Sequence, residues 1–433
     1  MKLAGVIAAG LMLAACGAPR APTNRDDYGP APSLAAPRGG LLPTINTPHA
    51  VGWPADGAPV APAGFTVMRY AEGLDHPRWL YVMPDGGVLV AETSSQAETG
   101  GGLVGAIRNM VQQNAGALGV SPNRITLLRD SNDDGRVDQH AVFADGLNQP
   151  FGMAIVGDYF YVANTDAVLR YAYTPGATSV SDPAQIVLRL PHHDGDNGHW
   201  TRNLLANADG SKIYVSVGSS SNIADNGISY EQGRAAIWEM NPDGSGAREF
   251  ATGLRNPVGM GWEPTKHALW VAVNERDMLG DELVPDYITH VQDGGFYGWP
   301  FSYYGQHVDA RVKPERPDLV SRAIEPDFAL GAHTASLGLA FYTGAAFPAR
   351  YRDGAFVGQH GSWNRSTPVG YKVVFVPFAD GRPSGAVEDF LTGFLNAKGE
   401  AQGRPVGVAV DRDGALLVAD DVGGIVWRVA PAH

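Results

Sequence analysis

Gly253-Leu254-Arg255-Asn256-Pro257, followed by VGMGWEPTKHALWVAVNE (258–275), is the stretch that decides the fold. A loop ending in Pro leads into an apolar strand, then a polar turn, then a β-rich strand, which is the pattern of a hairpin. Two close copies stand upstream. Gly73-Leu74-Asp75-His76-Pro77 precedes WLYVMPDGGVLVAET (79–93), and Gly146-Leu147-Asn148-Gln149-Pro150 precedes FGMAIVGDYFYVANT (151–165). Three looser copies keep the frame: HWTRNLLANADGSKIYVSVGS (199–219), LGLAFYTGAAFPARYRDGAFVGQHGSW (337–363) and RPVGVAVDRDGALLVADD (404–421). Six units of roughly 60 residues exceed the ~40–45 of a WD40 blade, which implies long loops between strands. A ring of four-stranded blades removes the exposed edges that such an array would otherwise leave. The sequence therefore predicts an all-β chain, a six-bladed β-propeller. FTVMRY (65–70) and GIVWRVA (424–430) are expected to share one blade and lock the ring.

Composition agrees with a turn-rich fold. The 433 residues include 55 Gly and 31 Pro, about one residue in five against an average near 12%. The formal net charge of −13 argues against nucleic acid as a partner, since phosphate binding needs a basic face. Cys16 is the single cysteine, which excludes an intrachain disulfide, a thiolate zinc cluster and a Cys-x-x-Cys-His haem attachment. MKLAGVIAAGLMLAAC (1–16) has a positive start, a short apolar core and a lipobox-like Leu13-Ala14-Ala15-Cys16, as a secretory signal requires. The expectation is a lipoprotein signal peptide over 1–15, a lipidated Cys16 and a disordered Pro-rich tether over 16–63. The propeller domain would occupy 64–433. Gly17 after the cysteine places the anchor, on this expectation, in the bacterial cell envelope, facing the periplasm at the outer membrane. Contact with membrane would then run only through the lipid.

In a propeller the loops ahead of each unit converge at one end of the channel. They carry His76, Gln149, His199 with Arg202, Arg255 with Asn256, His333, and Arg404. Cationic and amide groups gathered on an acidic protein point to an anionic small ligand.

Taken together, these residues resemble the soluble glucose and sorbosone dehydrogenases that use pyrroloquinoline quinone (PQQ), and most of all the L-sorbosone and pyranose dehydrogenase branch. The resemblance covers roughly 64–430. It rests on GLRNPVGMGWEP (253–264), NERDMLGDELVPDYI (274–288), GGFYGWP (294–300), HGSWNRS (360–366) and GLNQPFGMA (146–154). It implies oxidation of an aldose or aldehyde sugar, L-sorbosone-like or a pyranose, by hydride transfer to PQQ. His199 would be the base that takes the hydroxyl proton, a task suited to a side chain with a free pKa of about 6.5. Arg255 would act with it and, with Asn256, hold the cofactor. Arg404, Arg202, Gln149 and His333 are further cofactor candidates. The family's fifth-blade Lys has no counterpart before Lys372, so His360, Trp363 or Arg365 would stand in. An active-site Ca²⁺ would be held partly by main-chain carbonyls at Arg276 and Asp277, where the glucose branch has a Gly-Pro step. With no haem motif, electrons would leave to an external acceptor, a quinone or a cytochrome.

One loop stands apart. Asp130, Asn132, Asp134 and Asp138, with Gly135 at the sixth position, follow the first nine positions of an EF-hand loop, but Ala141 occupies the twelfth. It reads as either a structural Ca²⁺ site or a solvated Asp-rich turn. PHHDGDNGH (191–199) has no fixed zinc spacing. Two rival functions stay open at this level: a metal-dependent lactone hydrolase, and a non-catalytic binding propeller of the envelope.

Overall fold

The computed structural model describes residues 25–38, 44–97, 102–180, 183–193 and 198–432. The signal peptide and Cys16 lie outside the described residues. Among them the chain forms six antiparallel blades around a channel. Blade 1 runs Pro77–Val82, Val88–Glu92, Arg124–Arg129 and Gln139–Ala144, from channel to rim. Blade 2 is Met153–Val156, Tyr159–Ala163, Ala167–Ala172 and Gln185–Arg189. Blade 3 is Arg202–Ala206, Ile213–Val217, Ala236–Met240 and Arg248–Thr252, with Gly295–Phe296 added at its edge. Blade 4 is Asn256–Trp262, Leu269–Asn274, Pro285–His290 and Phe328–Ala332. Blade 5 is Ser336–Phe341, Ala355–Gln359, Lys372–Val376 and Glu388–Leu391.

Blade 6 closes the ring as the sequence predicts. Its inner three strands, Pro405–Val410, Leu416–Asp420 and Ile425–Pro431, come from the end of the chain, and its outermost strand, Phe65–Ala71, comes from the start. The two meet antiparallel, Phe65 opposite Pro431 and Met68 opposite Arg428. Every second strand is buried on both faces, which is why stretches such as Val88–Glu92 and Leu416–Asp420 are apolar nearly throughout instead of alternating. The described apolar core falls into six clusters that fill the gaps between neighbouring blades. Examples are Phe143, Phe151 and Phe160 between blades 1 and 2, and Phe356, Phe375 and Trp427 between blades 5 and 6. At the channel the inner strands nearly touch. A Cβ on Gly338 would lie 2.1 Å from the Val406 carbonyl, and one on Gly407 would lie 2.7 Å from that of Arg78.

The N-terminal segment departs from expectation. Its described parts are extended, as proline requires, but they lie on the propeller and do not stand clear of it. Tyr28–Gly29 pairs with Phe328–Ala332 as a fifth strand of blade 4. The Arg38 amide donates to Leu279 and the Asn46 amide to Trp363. Trp53 packs edge-on against Phe394 and Trp427 and donates Nε1–H to Asp420 at 2.6 Å. Backbone groups that proline leaves unpaired within the segment are thus paired across it, with the blade loops. The longest helix among the described residues, Gly102–Asn114, sits in the loop between the second and third strands of blade 1 and receives this segment through Asn114.

Candidate active site

Antiparallel blades bring two sets of loops to the same end of the channel: those before the first strand and those after the second. His199 lies on the first kind in blade 3, and Ser219 on the second. The His199 Nδ1 is 3.0 Å from the Ser219 carbonyl and 3.0 Å from the Ser219 hydroxyl. That hydroxyl donates its own hydrogen to the Ser221 carbonyl at 2.7 Å. Both neighbours of Nδ1 are therefore acceptors, so Nδ1 carries a proton, and in the neutral ring the lone pair lies on Nε2. Gly218 packs between the His199 Cβ and the Asn256 Oδ1, at 2.6 and 2.4 Å from where its own Cβ would be. This brings His199 and Asn256 together, and the Asn256 Oδ1 is buried without a hydrogen-bond partner.

Arg202 lies beneath this loop. It is wholly buried, and its guanidinium donates to the carbonyls of His199, Thr201 and Pro191 at 2.7, 3.0 and 3.0 Å. Arg234, which the sequence reading did not single out, braces the same turn by donating to the carbonyls of Gly218, His199 and Ser219. Burial drives the Arg202 pKa well below its ordinary value, and the Arg234 charge adds to that.

A second group spans blades 3 to 5. Arg255 donates to the Glu275 carbonyl at 2.7 Å and to the Asn222 Oδ1 at 2.8 Å, with Asp277 at 3.4 Å. The other Asp277 oxygen meets His333 Nδ1 at 3.1 Å, and His333 Nε2 meets the Gly280 carbonyl at 2.9 Å. Burial lowers the imidazole pKa, but the Asp277 hydrogen bond and charge outweigh it, and the net shift is upward. Burial likewise works against the Asp277 carboxylate, yet His333 and Arg255 hold it below the usual range. The neighbouring Asp286, pushed up to about 6 by burial, accepts from the Glu275 and Ser336 amides and from the Thr334 hydroxyl.

The expected Ca²⁺ position can be tested on these contacts. The Asp277 carbonyl already accepts from Asn222 and Arg311. The Arg276 side chain turns away, to Glu275, Asp309 and the carbonyls of Pro300 and Ser302. Among the described residues, no group of three or more His, Cys, Asp or Glu side chains is placed to hold a metal ion. A Ca²⁺ here would therefore rest on main-chain oxygens, of which the Asp277 carbonyl is already shared by two donors of the chain.

The third group lies across blades 5, 6 and 1. Asp421 accepts from Arg78 and faces the His360 Nε2 at 2.9 Å. Burial pushes the His360 imidazole down to about 4; Asp421 opposes this, while Arg404 and Arg78 add to it. His360 is thus neutral at pH 7. Arg404 is 3% exposed. Its guanidinium donates to the Tyr371 hydroxyl at 3.1 Å and lies 5.0 Å from that ring, and its Nε has no partner. Among the described residues no carboxylate pairs with it, so its buried positive charge has no ion-pair partner. This donor set fits a ligand that carries carboxylates.

Other sequence candidates sit differently. The Gln149 amide donates to the Ser94 carbonyl, and Arg365 pairs with Glu282 and the Ala332 carbonyl. Trp363 is half-buried under the N-terminal segment. The Asp130–Asp138 loop is at the opposite end, in the seam between blades 6 and 1, beside Asp85, Arg412 and Arg428. Asp130 and Asp134 accept from amides of their own loop, and Asp138 accepts from Ser131.

Arg78 and Asp421 were missed, though a signal was present. The residue after the loop proline is Phe151, Val258 and Val406 in three repeats but Arg78 in a fourth. An arginine where the inner strand wants an apolar side chain marks a position turned to the channel.

The fold and mouth define a class: a six-bladed β-propeller with cationic and amide groups around one channel end. The chain belongs to the TrAA12-like family, whose model matches residues 59–288 and 314–432. A pyrroloquinoline quinone-dependent sugar dehydrogenase of Hypocrea jecorina is 26% identical over 57% of this chain and 57% of its own length. The holo form of the pyranose dehydrogenase PQQ domain from Coprinopsis cinerea superposes with a TM-score of 0.70 at 22% identity, covering 88% of this chain and all of that one. A calcium structure of the Trichoderma reesei family AA12 enzyme gives 0.69 at 22%, covering 89% of this chain and all of that one. The family is thus PQQ-dependent sugar dehydrogenase-like.

Proposed function

We propose that the protein oxidises an aldose or aldehyde sugar, L-sorbosone-like or a pyranose, with PQQ as cofactor and His199 as base. The observation that carries this is the Nδ1-protonated His199 beside the unpartnered Asn256 Oδ1, in a ring whose sixth blade holds Arg404 buried with no carboxylate partner among the described residues. Bound PQQ would supply a two-electron, hydride-accepting quinone. Arg404 would hold a cofactor carboxylate, with Arg78 as a second cation on the same side. Asn256 would orient the sugar-facing edge, beside the loops that Arg255 braces. His199 Nε2 would take the hydroxyl proton from the carbon being oxidised, which lets that carbon give up hydride. The relatives named above support the cofactor class. The envelope location and the Cys16 anchor are part of the same proposal and rest on residues 1–17 alone; loss of detergent partitioning in Cys16→Ser would test them.

The functional test is reconstitution. Purified protein is titrated with PQQ, with and without Ca²⁺, and quinone absorbance and dye reduction are followed against aldoses and sorbosone. Saturable PQQ binding with sugar-driven dye reduction is expected. His199→Ala should keep PQQ and lose turnover by about 10²–10⁴-fold, the usual worth of a positioned base. Absence of PQQ binding at micromolar concentration would overturn the cofactor assignment and favour a non-catalytic propeller.

A further inference from the structure

We infer that Glu231 is a positioning residue for His199, acting through the serine turn 219–221; this rests on His199 being the base. Glu231 ends the short helix Ile228–Glu231 in the long loop after the second strand of blade 3 and is 7% exposed. Its Oε1 accepts from the Ser220 hydroxyl at 2.6 Å and the Ser221 hydroxyl at 2.8 Å, and its Oε2 from the Ser220 amide at 2.7 Å. All three donors belong to the two residues that follow Ser219. The consequence falls on Ser219. With the turn drawn onto the carboxylate, the Ser221 carbonyl is aimed at the Ser219 hydroxyl and takes its one hydrogen. Ser219 can then only accept from His199 Nδ1. Were that hydroxyl released, it could rotate and donate to Nδ1 in competition with the Ser219 carbonyl, which still accepts there, and so shift the imidazole proton toward Nε2 and weaken the base on the channel side.

The same segment touches the His199 loop twice more. The Tyr230 ring stacks on His193 at 3.5 Å and 15°, and Arg234 donates to the His199 carbonyl at 3.0 Å. Glu231 therefore lies in a cradle that sets the His199 loop, and it takes the hydrogens of both the Ser220 and Ser221 hydroxyls, while the Asp225 amide donates to that of Ser221.

The experiment has two readouts. In cofactor-free protein, ¹⁵N-histidine NMR, with His199 assigned by difference against His199→Ala, should find the wild-type proton on Nδ1. Glu231→Gln keeps the shape but turns a donor toward groups that are themselves donors. It should move the proton partly or wholly to Nε2, and Glu231→Asp should restore the wild-type pattern in part. In the reconstituted enzyme, Glu231→Gln should lower kcat by about 10–100-fold, with KM for sugar and PQQ affinity within about twofold, and should alter the limb of the pH profile that reports the base. A wild-type His199 spectrum in Glu231→Gln overturns the inference, whatever the activity. A changed spectrum in a protein that never oxidises sugar keeps the inference and overturns the base reading. If Glu231→Gln does not fold, Ser221→Ala, which removes one of the three donors, is read the same way.

Discussion

Arg404 offers a test in which stability and affinity should move in opposite directions. Its guanidinium is buried and has no carboxylate partner among the described residues. An ion held in such a place costs several kcal/mol after relaxation. The Tyr371 hydroxyl and ring face offset about 2 kcal/mol of that. Arg404→Met keeps the apolar stem, removes the charge and leaves the Tyr371 hydroxyl bonded to the Ser362 carbonyl. Without ligand the variant should be more stable than wild type by about 1–2 kcal/mol, read from urea midpoints. PQQ should bind it far less well. Loss of one desolvated charge-assisted contact costs about 2–4 kcal/mol, or roughly 30- to 700-fold in Kd by calorimetric titration. Arg404→Lys keeps the charge without the planar fork and should fall between the two. If Arg404→Met is less stable than wild type by 2 kcal/mol or more and binds PQQ unchanged, Arg404 is a brace like Arg202, and the anion-site argument fails.

Three further outcomes follow from local geometry. The His360 pKa of about 4 in the folded state lies below its unfolded value near 6.5. The unfolded chain therefore binds a proton between those values that the folded chain does not, and this contribution to stability is lost as pH falls from 6.5 to 4. His360→Gln should gain on wild type over that interval, by about 2 kcal/mol in paired urea titrations; Asp286 and Asp420, both raised to about 6, shift stability the opposite way in both proteins and cancel. Parallel curves would refute the assignment. Gly338→Ala must push a methyl against the Val406 carbonyl, and backbone cannot yield as a side chain can; a loss of about 3 kcal/mol or more is expected in thermal unfolding, and a shift of under 1 °C would contradict the ring geometry. Trp53→Ala removes two aromatic contacts and a hydrogen bond to buried Asp420 and should cost about 3 kcal/mol. A free tether would predict no change.

The propeller was legible because each blade repeats one hairpin, and a repeat is visible without knowing where any side chain points. Even the closure of Phe65–Ala71 on Ile425–Pro431 could be read, since a ring needs its two ends to meet. The N-terminal segment was not legible. Proline-rich composition reports a lack of helix and sheet donors within the segment, and it is silent on acceptors elsewhere, such as the Trp363 carbonyl that takes the Asn46 amide. Nor could the sequence see the second ring of loops acting on the first. Ser219 and Glu231 matter to His199 through hydrogen-bond direction, which has no sequence spacing.

Loop position, then, predicts which end of the channel a side chain reaches, but not which way it faces, and the arginines make the difference plain. Arg202, Arg234 and Arg255 stand at the mouth, yet their donors are spent largely on carbonyls of the chain itself. Those contacts fix the loops that carry His199 and Asp277. Among the described residues Arg404 alone in this set donates to no backbone carbonyl; its guanidinium lies against the Tyr371 ring and bonds that hydroxyl, with its Nε unpartnered. Counting cations at the mouth would overstate its charge. Subtracting the braced ones leaves one positive site on the side of blades 5, 6 and 1, across the ring from the His199 imidazole of blade 3. That separation suits a flat anion held by one edge while its other edge meets a substrate that must lose a proton. A mouth lined evenly with exposed cations would attract the same anion and fix no orientation at all.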